Sequence, residues 1–110
     1  MQVFHEILPD RFVLLLADDL PATDSATGSL ERCLLQAWRS RKPSVWVDCS
    51  RLQALAAEHL AVLLRYHERL RRRGSELILL CLSQPLQQAF NNLTADARPT
   101  MLTEAPPVVG

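Results

Sequence analysis

The segment SVWVDCSRLQALAAEHLAVLLRYHERLRRRGSELILLCLS, residues 44–83, alternates between short apolar runs and one longer amphipathic stretch. Residues 45–47 and 77–82 are short continuous apolar runs, which are typical of strands buried on both faces. Between them, three- and four-residue steps connect Leu60, Leu63, Leu64, His67 and Leu70, a spacing that predicts one apolar helix face. Gly74 follows as a C-terminal cap. The segment therefore predicts a strand–helix–strand unit with parallel strands.

The flanking sequence adds further elements on both sides of this unit. Residues 2–8 and 12–16 predict two strands, and Pro9, Asp10 and Arg11 between them predict an antiparallel hairpin. A loop rich in Ser, Thr and Asp occupies residues 21–29, and a helix is predicted from Leu30 to the residues before Pro43. After the central unit, a short helix is predicted at Pro85, and residues 100–104 predict a last strand.

The predicted order is therefore β-β-α-β-α-β-α-β, which defines an α/β fold. We expect a single domain over residues 1–104, with a mixed four- to five-stranded sheet, an N-terminal hairpin and helices packed on it. Residues 105–110 are expected to form a flexible tail. At 110 residues the chain has room for one two-layer core.

Composition excludes several classes of protein. Twelve basic and twelve acidic residues give no net charge, so nothing draws the whole chain toward nucleic acid. The apolar runs are shorter than the roughly 20 residues that a membrane span needs, and we expect no membrane insertion and no signal peptide. The three cysteines, Cys33, Cys49 and Cys81, lack a paired spacing, which favours a reducing cytoplasm over a disulfide framework.

The strand end and helix start within residues 48–74 resemble the STAS family, the sulfate-transporter and anti-sigma-factor-antagonist domain. Asp48, Ser50, Leu52, Leu60 and Gly74 stand where the family pattern has these residue types. The family's Asp-Ser-Ser-Gly element is different here. Its four positions hold other residues: Ala56, Ala57, Glu58 and His59.

The resemblance implies a STAS fold and a partner-docking surface at the strand–helix turn. The residues that it assigns to this surface are Ser50, Arg51, Ala56, Ala57, Glu58, His59 and Val62. In switchable family members a hydroxyl at the position of Ala57 is phosphorylated, and the added charge weakens docking. Alanine accepts no phosphate, so no phosphorylation is expected at Ala57. The resemblance thus implies a non-catalytic interaction module in bacterial signalling that binds a kinase-type anti-sigma factor.

Two other functions remain open from the sequence. The chain is also similar to the small STAS subunit of lipid-transport ATP-binding-cassette complexes, which binds the transporter ATPase. A third reading is an oligomeric scaffold of the stressosome type. The family usually ends in a further helix, whereas Pro106 and Pro107 disfavour one here. Apolar surface left without that helix predicts a homodimer or a permanent partner.

Other polar residues receive structural interpretations. Asp48 is predicted to hold an Asx-type turn, and Ser50 to stabilise the same turn. The arginine-rich run of residues 65–73 is predicted to be a solvated, salt-bridged helix face, because Tyr66 is its only aromatic residue and a nucleic-acid platform needs more. Binding of an acidic protein partner or a lipid headgroup is the alternative for this run. Histidines and cysteines lack metal-ligand spacing, and no nucleophile is paired with a base. We therefore expect no enzyme activity, metal or cofactor.

Overall fold

The computed structural model describes residues 2–17, 26–94 and 97–102. Within these residues, five strands and three helices occur in the predicted order. They are β1 (Gln2–Ile7), β2 (Arg11–Ala17), α1 (Ala26–Arg39), β3 (Ser44–Arg51), α2 (Ala57–Arg72), β4 (Glu76–Leu80), α3 (Gln84–Asn91) and β5 (Thr100–Leu102). The chain is an α/β domain, as the sequence predicts.

The strands form one five-stranded sheet in the order β1-β2-β3-β4-β5. β1 and β2 pair antiparallel, which confirms the predicted hairpin, and all other neighbours are parallel. The backbone N–H of Leu8 donates to the carbonyl of Arg11 at 2.9 Å and closes the hairpin turn. Because β2 to β5 run parallel, their carboxyl ends meet at one edge of the sheet. The turn that leads from β3 into α2 therefore lies at that edge.

The hydrophobic core lies between one face of the sheet and the helices. β2 alternates buried and half-buried residues, as expected for a strand with one face on the core. The core side chains are Phe12, Leu14 and Leu16 of β2, Val45, Val47 and Cys49 of β3, Leu77 and Leu79 of β4, Leu30, Leu34 and Ala37 of α1, Val62, Leu63, Tyr66 and Leu70 of α2, and Leu86 and Phe90 of α3, together with Leu52 and Leu82. All three helices thus contribute to a single core.

The second face of the sheet is apolar but less well covered. On β4, Ile78 and Leu80 are 8% and 3% exposed, so this strand is buried on both faces, as predicted. Trp46 of β3 is half-buried, and the guanidinium carbon of Arg11 lies 4.2 Å from the centre of its ring. Phe4 at the sheet edge is 53% exposed.

The end of α2 confirms the predicted glycine cap. Gly74 has a φ of +84°, a left-handed conformation that glycine adopts without steric cost. The N–H of Gly74 donates to the carbonyl of Arg71 at 3.0 Å, and the N–H of Ser75 donates to that of Leu70 at 2.9 Å. This pair of hydrogen bonds is a Schellman motif. It turns the chain directly into β4.

One boundary differs from the sequence prediction. α1 begins at Ala26, four residues before the predicted start, because Thr27 and Gly28 are weak helix formers that the sequence places in a loop. Ser83 occupies the N-cap position of α3, yet its side chain makes no capping hydrogen bond. β5 is observed over Thr100–Leu102. The predicted strand positions 103–104 and the predicted tail 105–110 lie outside the described residues.

Two phenylalanines test where the stability of the fold resides. Phe90 is fully buried, and its truncation leaves a cavity under α3, so Phe90→Ala should lower the free energy of unfolding by about 3–5 kcal/mol. Phe4 is 53% exposed, and the matched variant Phe4→Ala should cost about 1 kcal/mol or less. Urea denaturation of both variants measures the difference. Equal losses would show that the core assignment of Phe90 is wrong.

Candidate partner-binding surface

The turn after β3 is held by the carboxylate of Asp48. Its Oδ1 accepts a hydrogen bond from the backbone N–H of Ser50 at 2.9 Å, which confirms the predicted Asx-type turn. The N–H of Leu52 donates to the carbonyl of Cys49 at 3.0 Å, and the Leu52 side chain is 4% exposed. Leu52 thus anchors the turn in the core. Ser50 and Arg51 are left exposed between two fixed points.

An irregularity in strand pairing shapes the same turn. Leu15 pairs with Asp48. Ala17 lies two residues after Leu15 but pairs with Arg51, which lies three residues after Asp48. β3 therefore carries one extra residue at this point, which is a β-bulge. A bulge bends its strand and re-aims the neighbouring side chains. The bulge lies directly at the start of the turn that was predicted to dock a partner.

The first turn of α2 presents small side chains. Ala56 is the N-cap, with φ −66° and ψ 153°, and no side chain caps the helix there. Its carbonyl accepts the N–H of Leu60 at 3.0 Å. Ala57 and Glu58 are exposed, and the Glu58 carboxylate is favourable near the positive end of the helix dipole. The surface around Ala57 therefore consists of two exposed methyl groups, from Ala56 and Ala57, with the charge of Glu58 beside them.

His59 differs from its neighbours because it is partly buried. Its Nε2 atom is shielded from solvent and has no hydrogen-bond partner among the described residues. Burial lowers the pKa of His59, and the negative charge of Glu58 acts in the opposite direction. The imidazole is therefore neutral at pH 7. A neutral ring is the form that tolerates burial under a partner.

The structure brings six of the seven predicted docking residues to the surface. Ser50, Arg51, Ala56, Ala57, Glu58 and His59 lie on the turn and on the first turn of α2. These six residues are called the β3–α2 surface below. Val62 is different: it is 2% exposed and packs in the core cluster. That placement corrects the prediction for Val62, because a side chain beneath the helix supports the surface and cannot touch a partner.

Metal-binding and nucleophilic groups near this surface determine its chemistry. Within residues 2–17, 26–94 and 97–102, no group of three or more His, Cys, Asp or Glu side chains is placed to hold a metal ion. The thiol of Cys49 lies next to the turn. Burial raises the pKa of this thiol to about 12, and the charge of Asp48 adds to the rise. A protonated, buried thiol is a poor nucleophile.

No helix within residues 2–17, 26–94 and 97–102 is long and apolar enough to cross a membrane.

The arginine-rich face of α2 is only partly the salt-bridged face that was predicted. Glu68 accepts from Arg71 and Arg72 at 3.0–3.1 Å, and Arg65 pairs with Glu31 of α1. These contacts confirm the prediction for those residues. Arg73 behaves differently, since it reaches across to α1. The sequence does not reveal that contact, because it joins residues 35 positions apart.

Comparison with known proteins identifies the family. Residues 13–104 match the family model of the STAS domain, so the chain belongs to the STAS family. No curated protein matches the chain. The sequence-based recognition of the family is thus confirmed, although the Asp-Ser-Ser-Gly element is absent.

Solved structures of low sequence identity share the fold. The unphosphorylated form of the anti-sigma factor antagonist SpoIIAA superposes with a TM-score of 0.76 at 16% identity, covering 94% of this chain and 90% of that one. The S58E variant of RsbS from Moorella thermoacetica gives a TM-score of 0.76 at 14% identity, covering 96% and 89%. The protein TM1081 gives 0.72 at 10% identity, covering 91% and 79%.

The lowered pKa of His59 predicts a pH-dependent stability. As the pH falls below 6.5, the ordinary pKa, the unfolded chain takes up a proton that the folded chain rejects. The free energy of unfolding should therefore fall with pH from 6.5 down to the folded-state pKa and then level off. Denaturation at a series of pH values measures this slope.

The variant His59→Gln should flatten that slope, since it removes the proton-binding group. The slope of His59→Gln is compared with that of His5→Gln, the matched control, which removes an exposed imidazole from β1. A His59→Gln protein with an unchanged slope would contradict the assignment.

Proposed function

We propose that the chain is a non-catalytic protein-interaction module that binds a regulatory protein through the β3–α2 surface. The observation that carries the proposal is the STAS match over residues 13–104, joined to a turn that is fixed by Asp48 and Leu52 and exposed between them. Proteins of the STAS anti-sigma-antagonist group are generally non-catalytic. A rigid, exposed turn suits recognition because little conformational entropy is lost on binding.

The proposed partner is a kinase-type anti-sigma factor. Support comes from structural neighbours such as SpoIIAA, which is described as an anti-sigma factor antagonist. The chemistry of the β3–α2 surface is compatible with such a protein partner. Ala56 and Ala57 permit close approach of a partner backbone, and Arg51 and Glu58 offer one charge of each sign at the border. Charges of both signs favour orientation over simple electrostatic attraction.

The proposed module is not switched by phosphate at the usual position. Ala57 is exposed and carries a methyl group where the resemblance places the phosphorylated hydroxyl. Docking is then independent of a kinase acting on Ala57. Control would come from the amount of protein or from the partner. Mass spectrometry after incubation with the cognate kinase and ATP should find no phosphate on residues 50–63, and phosphate at Ser50 would contradict the proposal.

The proposed site of action is the cytoplasm. Cys33, Cys49 and Cys81 are all free thiols, and Cys49 is buried in the core. Free thiols persist in a reducing compartment, whereas oxidising compartments pair or modify them. The absence of disulfides among these three cysteines therefore supports an intracellular partner.

Recovery of the tagged protein from its own cells tests the partner class. Co-purification of a kinase-type anti-sigma factor is the expected result. Recovery of a transport ATPase instead would replace this proposal with the transporter-subunit reading. If the tagged protein is recovered completely and neither a kinase-type anti-sigma factor nor a transport ATPase co-purifies, both proposals are contradicted.

The substitution Ala57→Glu should weaken binding of the recovered partner at least about tenfold. It places a second carboxylate beside Glu58 on a surface that we propose is covered on binding, and like or unpaired charges at an interface cost several kcal/mol. Isothermal titration calorimetry gives the affinity. Ala89→Glu is the matched control, because Ala89 is exposed on α3 and lies outside the β3–α2 surface. Equal losses in both variants would contradict the placement of the interface.

Self-association stays a prediction and has its own test. In the hairpin, Phe4 pairs with Leu15 on the second face of the sheet, whereas Ile7 pairs with the core residue Phe12. Both Phe4 and Ile7 are 53% exposed. If a homodimer covers the second face, light scattering at micromolar concentration gives twice the mass of the chain. Phe4→Glu then yields a monomer and the control Ile7→Glu retains the dimer, while a monomeric wild-type chain contradicts the prediction.

A further inference from the structure

Basic side chains are concentrated at one end of the domain. Seven of the twelve lysine and arginine residues lie in two short segments: Arg39, Arg41, Lys42, Arg69, Arg71, Arg72 and Arg73. These segments close α1 and α2, and both helices end where the parallel strands begin. The N–H of Glu76 donates to the carbonyl of Pro43 at 3.0 Å, which joins the chain just after the two segments. We call this region the basic end.

The carboxylates near the basic end are already engaged. Glu68 accepts from Arg71 and Arg72, and the hydrogen bonds lower the pKa of its carboxyl. Asp10 pairs with Arg11 at 3.1 Å, and Glu76 accepts from the hydroxyl of Thr100 at 2.8 Å. Arg69 and Arg73 have no carboxylate partner among the described residues. Their positive charges are therefore not neutralised by a neighbouring carboxylate.

An open depression of about 540 Å³ lies at the basic end. Its lining consists of Trp38 from α1 together with Arg69, Arg72 and Arg73 from α2. Three guanidinium groups and one indole ring thus surround it, and none of the four lining residues carries a carboxylate. Arg69 is further oriented by Tyr66, whose ring centre lies 5.0 Å from its guanidinium carbon.

Arg73 is held in place by Trp38. Its Nη1 atom donates to the backbone carbonyl of Trp38, and its guanidinium carbon lies 5.4 Å from the centre of the indole ring. Its Nε and Nη2 atoms are shielded from solvent and have no acceptor among the described residues. These two nitrogens form the edge of the guanidinium that binds two oxygens side by side. A donor that is shielded from water and has no acceptor is destabilising, so an anion that reaches this edge is favoured.

The helix dipole explains part of the basic end but not Arg73. Cations at the C-terminus of a helix are stabilising, which accounts for exposed arginines such as Arg39 and Arg71. That account requires a solvated charge near the last carbonyls of the same helix. It does not require a guanidinium that is stacked on an indole of the neighbouring helix and that keeps a two-donor edge unused. The helix dipole therefore does not account for the position of Arg73.

The number of donors distinguishes between anions. A carboxylate carries one charge and two oxygens, so one guanidinium edge satisfies it. A phosphate monoester carries up to two charges and three terminal oxygens, which several arginines can bind together. Three guanidinium groups line the depression, two of them without a carboxylate partner, and this arrangement matches the second case. We propose that the depression lined by Trp38, Arg69, Arg72 and Arg73 binds a phosphate monoester group, with Arg73 as the anchoring side chain.

This site is separate from the β3–α2 surface. α2 begins at Ala57 on that surface and ends at Arg72 beside the depression, and its 16 residues span roughly 24 Å. A phosphate at the basic end and a protein partner at the β3–α2 surface can therefore be bound at once. Failure of one proposal leaves the other standing, because no residue is shared between them.

Titration of the full chain with small phosphates tests the proposal. The probes are inorganic phosphate and glycerol 3-phosphate, and the readouts are calorimetry on the wild-type chain and fluorescence of Trp46→Phe, in which Trp38 is the remaining tryptophan. Arg69→Gln should weaken binding about tenfold, because it removes one charged donor from an exposed position. Arg32→Gln is the matched control, since Arg32 is exposed on α1 outside the depression. Equal affinity in these two variants overturns the proposal.

Two further variants separate the arginine geometry from charge alone. Arg73→Lys keeps the charge and removes the two-donor edge, so it should weaken phosphate binding by a similar factor. Glu68→Gln releases Arg72 and should tighten binding. If Arg73→Lys binds as tightly as the wild type, the anchoring role of Arg73 is overturned. If Arg73→Lys does not fold, the exposed variant Arg69→Gln still decides the outcome.

Co-sedimentation with lipid vesicles distinguishes a lipid phosphate from a soluble phosphate ester as the ligand. Co-sedimentation with phosphatidylcholine vesicles containing phosphatidic acid, lost in Arg69→Gln and kept in Arg32→Gln, supports a lipid phosphate. Binding of glycerol 3-phosphate without co-sedimentation supports a soluble phosphate ester. Binding of neither probe, or vesicle binding that Arg32→Gln weakens equally, overturns the proposal.

Discussion

The position of β3 between β2 and β4 is the constraint on which the rest of the domain depends. Val45 pairs with Phe12 on one side and with Leu77 on the other, and all three side chains are fully buried. A one-residue slip of either pairing would turn these side chains to the opposite face, so the core fixes the register. The register in turn fixes where β3 ends. The Asp48 turn and the start of α2 follow from that point, and the β3–α2 surface is therefore placed by the core and not by local preferences.

Much of the fold was accessible from sequence because its signals are local. Short apolar runs, a leucine period and Gly74 predict β3, α2, the cap and β4, and each is observed. The start of α1 was missed because weak helix formers in its first turn conceal a helix that packing stabilises. Tyr66 and Val62 widen the buried stripe of α2 beyond the leucines. Packing in the core buries Val62 and Tyr66 as well as the leucines, and the spacing of the leucines alone does not show this.

The candidate surface was predictable only in part, because local signals can be inferred from the sequence whereas packing between distant elements cannot. Asp48 acts on a backbone N–H two residues away, so its role can be inferred from its position in the sequence. Val62 was misplaced because helix exposure depends on how α2 is rotated on the sheet, which no single residue reveals. The contact between Arg73 and Trp38 joins the ends of two helices. Nothing in the arginine run distinguishes Arg73 from Arg72 before the helices are packed, and yet one is stacked on an indole and the other is paired with Glu68.

Both proposed binding regions lie at the ends of one rigid element. α2 presents Ala57, Glu58 and its N–H groups at one end, and arginines beside its carbonyls at the other. Its middle is packed against the core through Leu63 and Leu70, which are 1% and 0% exposed. A helix fixed in this way has one arrangement, and coupling between its ends requires an element with two. Phosphate at the basic end would therefore localise or stabilise the protein without altering its affinity for a partner, and regulation of that affinity would have to act on the β3–α2 surface itself.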